Sequence, residues 1–550
     1  MRVIMSAAQI YNKDRPDEYD VVIVGAGFSG LYALYHVRKK GFSVQAYDDG
    51  DDVGGTWYWN RYPGARVDNE SVEYSFSFSE EVEQEWSWSE RYASQPELLR
   101  YFDFVANKYD LRRDLQFRTR VESIIFDTSV NRWSVNTNHG DTVLSRFVIL
   151  ATGILSAPKR LDFPGLDSFG GQQYYTSRWP HEKVDFSGQR VGIIGTGSSG
   201  VQVIPHIAKV ADHLTVFQRT PSYAVPACNR PVDAKFQREI KAKYAEVRRR
   251  ESLAFQGGII KNDEITFGLP QTSALAVSSE EREAEYERCW NSANFTLYWS
   301  FDDVLTDKAA NETVAEFVRA KIRAKINDPA VAELLIPTEY AIMTKRLCAE
   351  IGYYETFNRK NVNLVSVKHT PIEAITRRGV QVAGHEYELD SLIFATGFDA
   401  MTGAVTSIDI EGRNGRRIRE EWGKFGPRTH LGLMSNGFPN LFYISGPSSP
   451  AALFAPIMLA EFQTRWIVER MQDMSDDNKR TLEPTAAAED MWIERSKEAA
   501  DRTLLPQTDS WYMGANIPGK PRVIQAYMGG FVSYQRLCAD AIANHYQDFE

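Results

Sequence analysis

Two glycine-rich turns, each entered from an aliphatic run and each leading into a helix-forming segment, predict an α/β chain with two Rossmann-like dinucleotide-binding domains and an inserted helical subdomain. The first turn closes VVIVGAGFSG at residues 21–30, and the second closes RVGIIGTGSSG at 190–200. Between about residues 232 and 345 the chain becomes charged and rich in helix formers, as in KFQREIKAKYAEVRRRESLAF, which places the insert there.

The elements follow in order. Residues 1–19 read as a polar tail. Four aliphatic residues, 21–24, form a buried parallel strand running into the turn; a helix over 29–40 is closed by Gly41, and a strand over 43–47 stops at Asp48. This is a complete βαβ unit. The second unit repeats it with a strand over 191–194, a turn over 195–200, a helix over 201–210 and a strand over 213–217. Further aliphatic runs end in glycine at FVILATG (147–153), LIFATGF (392–398) and LFYISGP (441–447), each delivering a loop to a sheet edge. The predicted division is a first dinucleotide-binding domain of residues 20–155 plus 391–550, and a second of 156–390. The second carries the insert, with loops marked by Gly257, Gly258, Gly268 and Pro270.

Composition narrows the function. The 550 residues are 43% hydrophobic and 25% charged, a globular balance that excludes a disordered or fibrous chain. A formal net charge of -10 gives no general attraction to nucleic acid or anionic lipid, so neither is expected as a partner. No apolar run is long enough to span a membrane, and the first residues lack the apolar core of a signal peptide, so a cytoplasmic location is expected. Four cysteines without a C-x-x-C pair offer no disulfide framework, zinc signature or redox dithiol. No metal is expected, and redox chemistry needs a bound cofactor. The 12% aromatic content fits either bulky cores or pockets for planar rings.

The two turns lead to strands that end on different residues. Gly25, Gly27 and Gly30, with Phe28 and Ser29 between them, form G-x-G-x-x-G: a sharp turn, close backbone approach to a pyrophosphate, and tight helix packing. Asp48 lies 18 residues after Gly30, where a carboxylate can accept ribose hydroxyls, which points to FAD. Gly195, Gly197 and Gly200, with Thr196, Ser198 and Ser199, repeat the turn, but Gln218, Arg219 and Thr220 stand where the acid would be. A guanidinium there pairs with a 2'-phosphate, which favours NADP over NAD. One protein holding both cofactors moves a hydride from nicotinamide to flavin, and without a dithiol the next acceptor is dioxygen or a diffusible molecule.

The segment GGTWYWNRYPGARVD, residues 54–68, with Gly54, Gly55, Trp57, Tyr62, Pro63, Gly64 and Asp68, resembles the signature of Baeyer–Villiger monooxygenases. The same family is matched in order by MTKRLCAEIGYYETFN (343–358), ATGFDAMTG (395–403) and DSWYMGANIPGKPR (509–522), particularly its cyclohexanone and steroid monooxygenase branch. The resemblance implies an enzyme that uses NADPH, FAD and dioxygen to convert ketones, whether cyclic, aromatic or steroid-like, into esters or lactones through a flavin peroxide. It implies that Arg346 supplies the fixed positive charge this needs and that Asp68 holds the guanidinium; arginine suits because it does not give up its proton. It further implies cofactor contacts from Thr56, Trp57, Trp59, Arg66, Tyr74, Val121, Gln202 and Trp511. Lys345 would join Arg219 and Thr220 on the 2'-phosphate. Leu453 and Phe454 would lie on a substrate loop, and residues 503–521 on a mobile loop that closes over NADP.

One position departs from the family. FGGQQYYTSRWP keeps Phe169, Gly171, Trp179 and Pro180 of a second fingerprint but has Tyr175 where the family has histidine. Two other readings stay open from the residues alone: a flavin monooxygenase that oxygenates nitrogen or sulfur, which would not need Arg346, and an uncoupled NADPH oxidase or nucleotide-sensing flavoprotein, motivated by Tyr175.

Overall fold

The computed structural model describes residues 17–254, 259–261, 264–266, 270–292, 295–451, 456–544 and 547–550. The first βαβ unit consists of β1 (Glu18–Val24), α1 (Phe28–Lys39) and β2 (Val44–Tyr47). β1 thus begins two residues inside the expected tail. Its sheet runs in the order Asp409–Glu411, Val121–Asp127, Arg132–Thr137, Thr142–Leu150, β1, β2, Leu115–Gln116, and Leu441–Tyr443 also pairs with Thr142–Leu150. Val21, Val22 and Ile23 are fully buried because both faces are covered. Val21 and Ile23 join the core beneath α1 and the helix Pro456–Asp476, whereas Val22 packs with Trp133 and Trp422 on the other face. The run therefore reads as continuous aliphatic sequence and not as alternation.

The second unit consists of β3 (Arg190–Ile194), α2 (Ser198–Ile207) and β4 (His213–Gln218). It sits in a parallel five-stranded sheet ordered Val362–Ser366, β4, β3, Ser391–Phe394, Gln172–Tyr175. This corrects the boundary drawn at residue 391. Ser391 pairs with Val191 and Phe394 with Ile194, so this strand belongs to the second sheet, and the chain returns to the first only after it. An aliphatic run ending in glycine looks the same at 147–153, 392–398 and 441–447; hydrogen-bond pairing alone decides which sheet takes it.

The insert contains helices Ala234–Lys241, Tyr244–Leu253, Ser279–Trp290, Lys308–Lys325 and Pro329–Leu335. It is shared between two cores. Ile240 and Tyr244 pack with α1's core, while Tyr286, Trp290, Val314 and Val318 pack with that of β3 and α2. Part of the aromatic content also finds its place here: Phe28 sets its ring against Tyr74, Phe76 and Phe102 at centroid distances of 4.9, 4.7 and 4.5 Å, making an aromatic floor under the first turn.

The two units meet through the segment 54–68. Gly64 has φ 87°, and a Cβ there would lie 2.5 Å from His206 Cδ2 and 2.6 Å from the Gln202 carbonyl oxygen, both on α2. Only glycine allows this backbone conformation at this spacing. Gly64→Ala is expected to cost about 2–4 kcal/mol through strain and overpacking. Urea unfolding followed by tryptophan fluorescence checks this, and an unchanged midpoint would mean that the units are not packed so closely.

Candidate active site

The first turn opens into a cavity of about 770 Å³. Its wall takes Gly25, Gly27, Phe28, Ser29, Asp48, Thr56, Trp57, Trp59, Arg66, Asp68, Tyr74 and Val121 from the first unit, Ser198, Ser199 and Gln202 from α2, and also Arg346 and Trp511. Gly30 stands behind the wall, where a Cβ would lie 1.8 Å from the Gly25 carbonyl oxygen. Asp48 accepts the Ala26 N–H on Oδ2 and the Gly50 N–H on Oδ1, both at 2.7 Å. Burial pushes its carboxyl above the ordinary range, and these two donors partly offset that. Asp48 therefore braces the turn as well as facing the cavity. Trp57 Nε1 donates to Tyr74 Oη at 3.1 Å, which fixes both rings in the wall.

Arg346 reaches the cavity from the link into the strand Cys348–Glu350. Its Nε donates to Asp68 Oδ2 at 2.8 Å and its Nη2 to Asp68 Oδ1 at 2.9 Å, a two-pronged ion pair. The exposure the two side chains keep, 24% and 27%, opens into the cavity they line. The guanidinium lies 4.6 Å from the Phe295 ring centroid. Burial works against its charge, but Asp68, with Tyr512 and Tyr298 nearby, outweighs burial and holds Arg346 above its ordinary range. Arg346 is a permanent cation on this wall.

Gly195, Thr196, Gly197, Gly200, Arg219, Thr220 and Lys345 do not line this cavity; they gather at the end of the second sheet. Thr196 Oγ1 donates to the Thr220 carbonyl at 3.1 Å, tying the second turn to the end of β4. A Cβ on Gly197 would meet nothing within 4 Å, so space is open over the turn. Lys345 Nζ sits 4.6 Å from the Tyr340 ring centroid. Burial and then the charge of Arg219 pull its ammonium below the ordinary lysine range. Gln202 joins the two regions: Tyr62 Oη donates to its Oε1 at 2.8 Å, and its Nε2 donates to the Arg66 carbonyl at 3.0 Å.

A family profile described as "Pyridine nucleotide-disulphide oxidoreductase" matches residues 22–258. The chain is 41% identical over 534 residues to acetone monooxygenase (methyl acetate-forming) of Gordonia sp. (strain TY-5), covering 96% of this chain and 98% of that protein. Forming methyl acetate from acetone places an oxygen atom beside a ketone carbonyl. The chain belongs to the Baeyer–Villiger monooxygenase family. Among solved structures, a steroid monooxygenase bound to NADP is 46% identical, with a TM-score of 0.91 and coverage of 97% of this chain and 99% of that one. A complex of OTEMO with FAD and NADP is 37% identical, with a TM-score of 0.91 and the same coverages. The profile's description refers to disulphide chemistry, whereas the four cysteines of this Baeyer–Villiger monooxygenase form no C-x-x-C pair.

The position that departs from the family in sequence does not line this cavity. Tyr175 ends the edge strand of the second sheet, stacks on Phe394 at 5.0 Å and donates to Gln173 Oε1 at 3.1 Å. Its neighbourhood does reach the site. The Trp179 N–H bonds to the Trp59 carbonyl at 3.2 Å, and Arg178, in the cavity wall, lies 3.6 Å from the Trp59 ring centroid. Sequence reading passed over Arg178 although it stands next to the noted Trp179. It also passed over Tyr512, fully buried beside Arg346, and over Lys159, whose signal was only one more basic residue in a loop. Leu453 and Phe454 lie outside the described residues; Ala451, Pro456 and Ile457 on either side line the cavity. The segment expected as a mobile loop contains two short 3-10 turns, Leu505–Gln507 and Trp511–Met513.

Removing Asp68 leaves a guanidinium without its counter-charge. Asp68→Ala is expected to lose about 3 kcal/mol of stability, and the double variant Asp68→Ala/Arg346→Met to lose less than the sum of the two single changes. Urea titrations of the four proteins provide the cycle, and strictly additive losses would mean that the pair is not coupled.

Proposed function

We propose that this Baeyer–Villiger monooxygenase uses NADPH, FAD and dioxygen to convert a cyclic, aromatic or steroid-like ketone into an ester or lactone beside Arg346. One observation carries the reading: the Arg346–Asp68 pair lies in the wall of the cavity into which the acid-marked turn opens. The residues fit FAD there, with Gly25 and Gly27 leaving the turn bare, Asp48 placed for ribose hydroxyls, and Thr56, Trp57, Trp59, Arg66, Tyr74 and Val121 completing the wall. They fit NADP at the second turn, where space is open over Gly197 and neither Arg219 nor Lys345 has an ion-pair partner among the described residues. When bound, the cofactors supply reducing equivalents and activate dioxygen.

The side chains do the rest. Arg346 provides positive charge where negative charge gathers on oxygen, including the ketone oxygen as it is attacked, and its position is fixed before the reaction begins. Asp68 orients that charge through two hydrogen bonds. Trp511 in the wall and Tyr512 behind it help exclude water, which would divert the oxidant. Ala451 and Ile457 supply apolar wall; Leu453 and Phe454, which lie between them in sequence, are the residues proposed to meet the ketone. Among the described residues no helix is long and apolar enough to cross a membrane. A cytoplasmic enzyme with no nucleic acid or membrane partner completes the proposal.

Arg346→Ala should still oxidise NADPH but form ester from a ketone panel at least about 100-fold more slowly, the scale expected for losing a main electrostatic stabiliser. Gas chromatography of the products with a parallel hydrogen peroxide assay measures this; wild-type ester yields from the variant would sink the assignment. A phosphate beside Lys345 would raise its depressed pKa, so nucleotide binding takes up protons in the alkaline range. Affinity for adenosine 2',5'-bisphosphate is therefore expected to fall as pH rises toward about 10. Calorimetry across that range tests it, and affinity that rises with pH would contradict it.

A further inference from the structure

Residues 157–159 cross between the two sheets. The Asp399 N–H bonds to the Ala157 carbonyl at 2.9 Å, the Lys159 N–H bonds to the Gly397 carbonyl at 3.1 Å, and Pro158 bridges Phe398 in antiparallel fashion. Gly397 lies just past the carboxyl end of Ser391–Phe394, which flanks β3 on the side opposite β4. Three adjacent strand ends are therefore loaded at the ligand-binding edge: β4 leads to Arg219, β3 to the Gly195–Gly200 turn, and Ser391–Phe394 to the loop that holds Lys159. Strands in a sheet lie about 4.8 Å apart, so the outer two ends are about 10 Å apart, a gap that a lysine and an arginine can close.

Electrostatics agrees with this placement. Burial and then the charge of Arg219 lower the Lys159 ammonium, and the same two causes act in the same order on Lys345. Asp509 and Glu339 act on Lys345 from a distance, but among the described residues no carboxylate lies within ion-pair range of Lys159, Lys345 or Arg219. Arg219 thus repels both lysines, and an entering anion relieves that repulsion. In the NADPH reading the N-terminus of α2 takes the pyrophosphate, and Arg219 stands where a ribose 2' substituent would come.

We propose that Lys159 is a third cation of the 2'-phosphate site, beside Arg219 and Lys345, and helps set the preference for NADPH over NADH. The inference rests on the NADPH reading above and adds to it a residue from the inter-sheet crossing. Arginine grips two oxygens of a phosphate in plane, and a lysine can hold the third as a point charge.

The test is calorimetry on the FAD-loaded enzyme with two probes, adenosine 2',5'-bisphosphate and 5'-AMP, which differ only in the 2'-phosphate. Lys159→Met should weaken the bisphosphate about tenfold and leave 5'-AMP within about twofold, while Lys159→Arg keeps most of the affinity. In steady state the KM for NADPH should rise and that for NADH should not. Unchanged bisphosphate affinity, or equal losses for both probes, would overturn the proposal. Arg219→Ala separates the two levels. If it removes the preference for the bisphosphate while Lys159→Met leaves bisphosphate affinity unchanged, only the third-cation role falls. If it too leaves the preference intact, the 2'-phosphate reading itself falls.

Discussion

The ion pair between Arg346 and Asp68 is the interaction on which the site depends. The two residues are 278 positions apart, and their fork of hydrogen bonds at 2.8 and 2.9 Å forms only when the segment 54–68 is pressed against the second unit. Much of the architecture secures that contact. Gly64 lets the segment lie on α2, Tyr62 and the Arg66 carbonyl are both held by Gln202, and Trp179 bonds back to Trp59. A permanent cation is thereby held in the wall of a cavity that it shares with glycine, aromatic, aliphatic and other charged residues. In such a setting a fixed charge acts with little screening by water.

Charge is distributed in the same economical way elsewhere. The chain is acidic overall, yet cations stand at both candidate sites: Arg346 in the wall of the first cavity, and Arg219 with two lysines at the end of the second sheet. The turns themselves are nearly identical; what differs is the residue at the end of the second strand of each unit. Asp48 binds the backbone of its own turn, so the carboxylate that marks one site also stiffens it. Arg219 has no such partner among the described residues and leaves its positive charge to act on its neighbours.

The helical insert and Tyr175 show how placement changes the meaning of a sequence feature. The insert is not an appendage of one domain, because Ile240 and Tyr244 are part of the first core while Tyr286 and Trp290 belong to the second. Tyr175, the position singled out in the sequence, stacks its ring on Phe394 at a sheet edge and does not line the cavity. Its influence would pass through Arg178 and Trp179, which come just after it in the chain and touch Trp59.

The sequence by itself determined the two βαβ units, the acid at Asp48, the cations at Arg219 and Lys345, and the family. Each of these is a local pattern whose spacing is set by one strand, one turn and one helix. Tertiary structure decided the rest. The strand Ser391–Phe394 went to the second sheet because its hydrogen bonds lie with β3, which no period-two pattern records. Arg178, Tyr512 and Lys159 became visible only in space, since an arginine on a tryptophan face, a buried tyrosine beside a guanidinium, and a lysine carried across to a distant strand end have no local signature. Local patterns report what a segment can become; long-range pairing and burial fix what it faces.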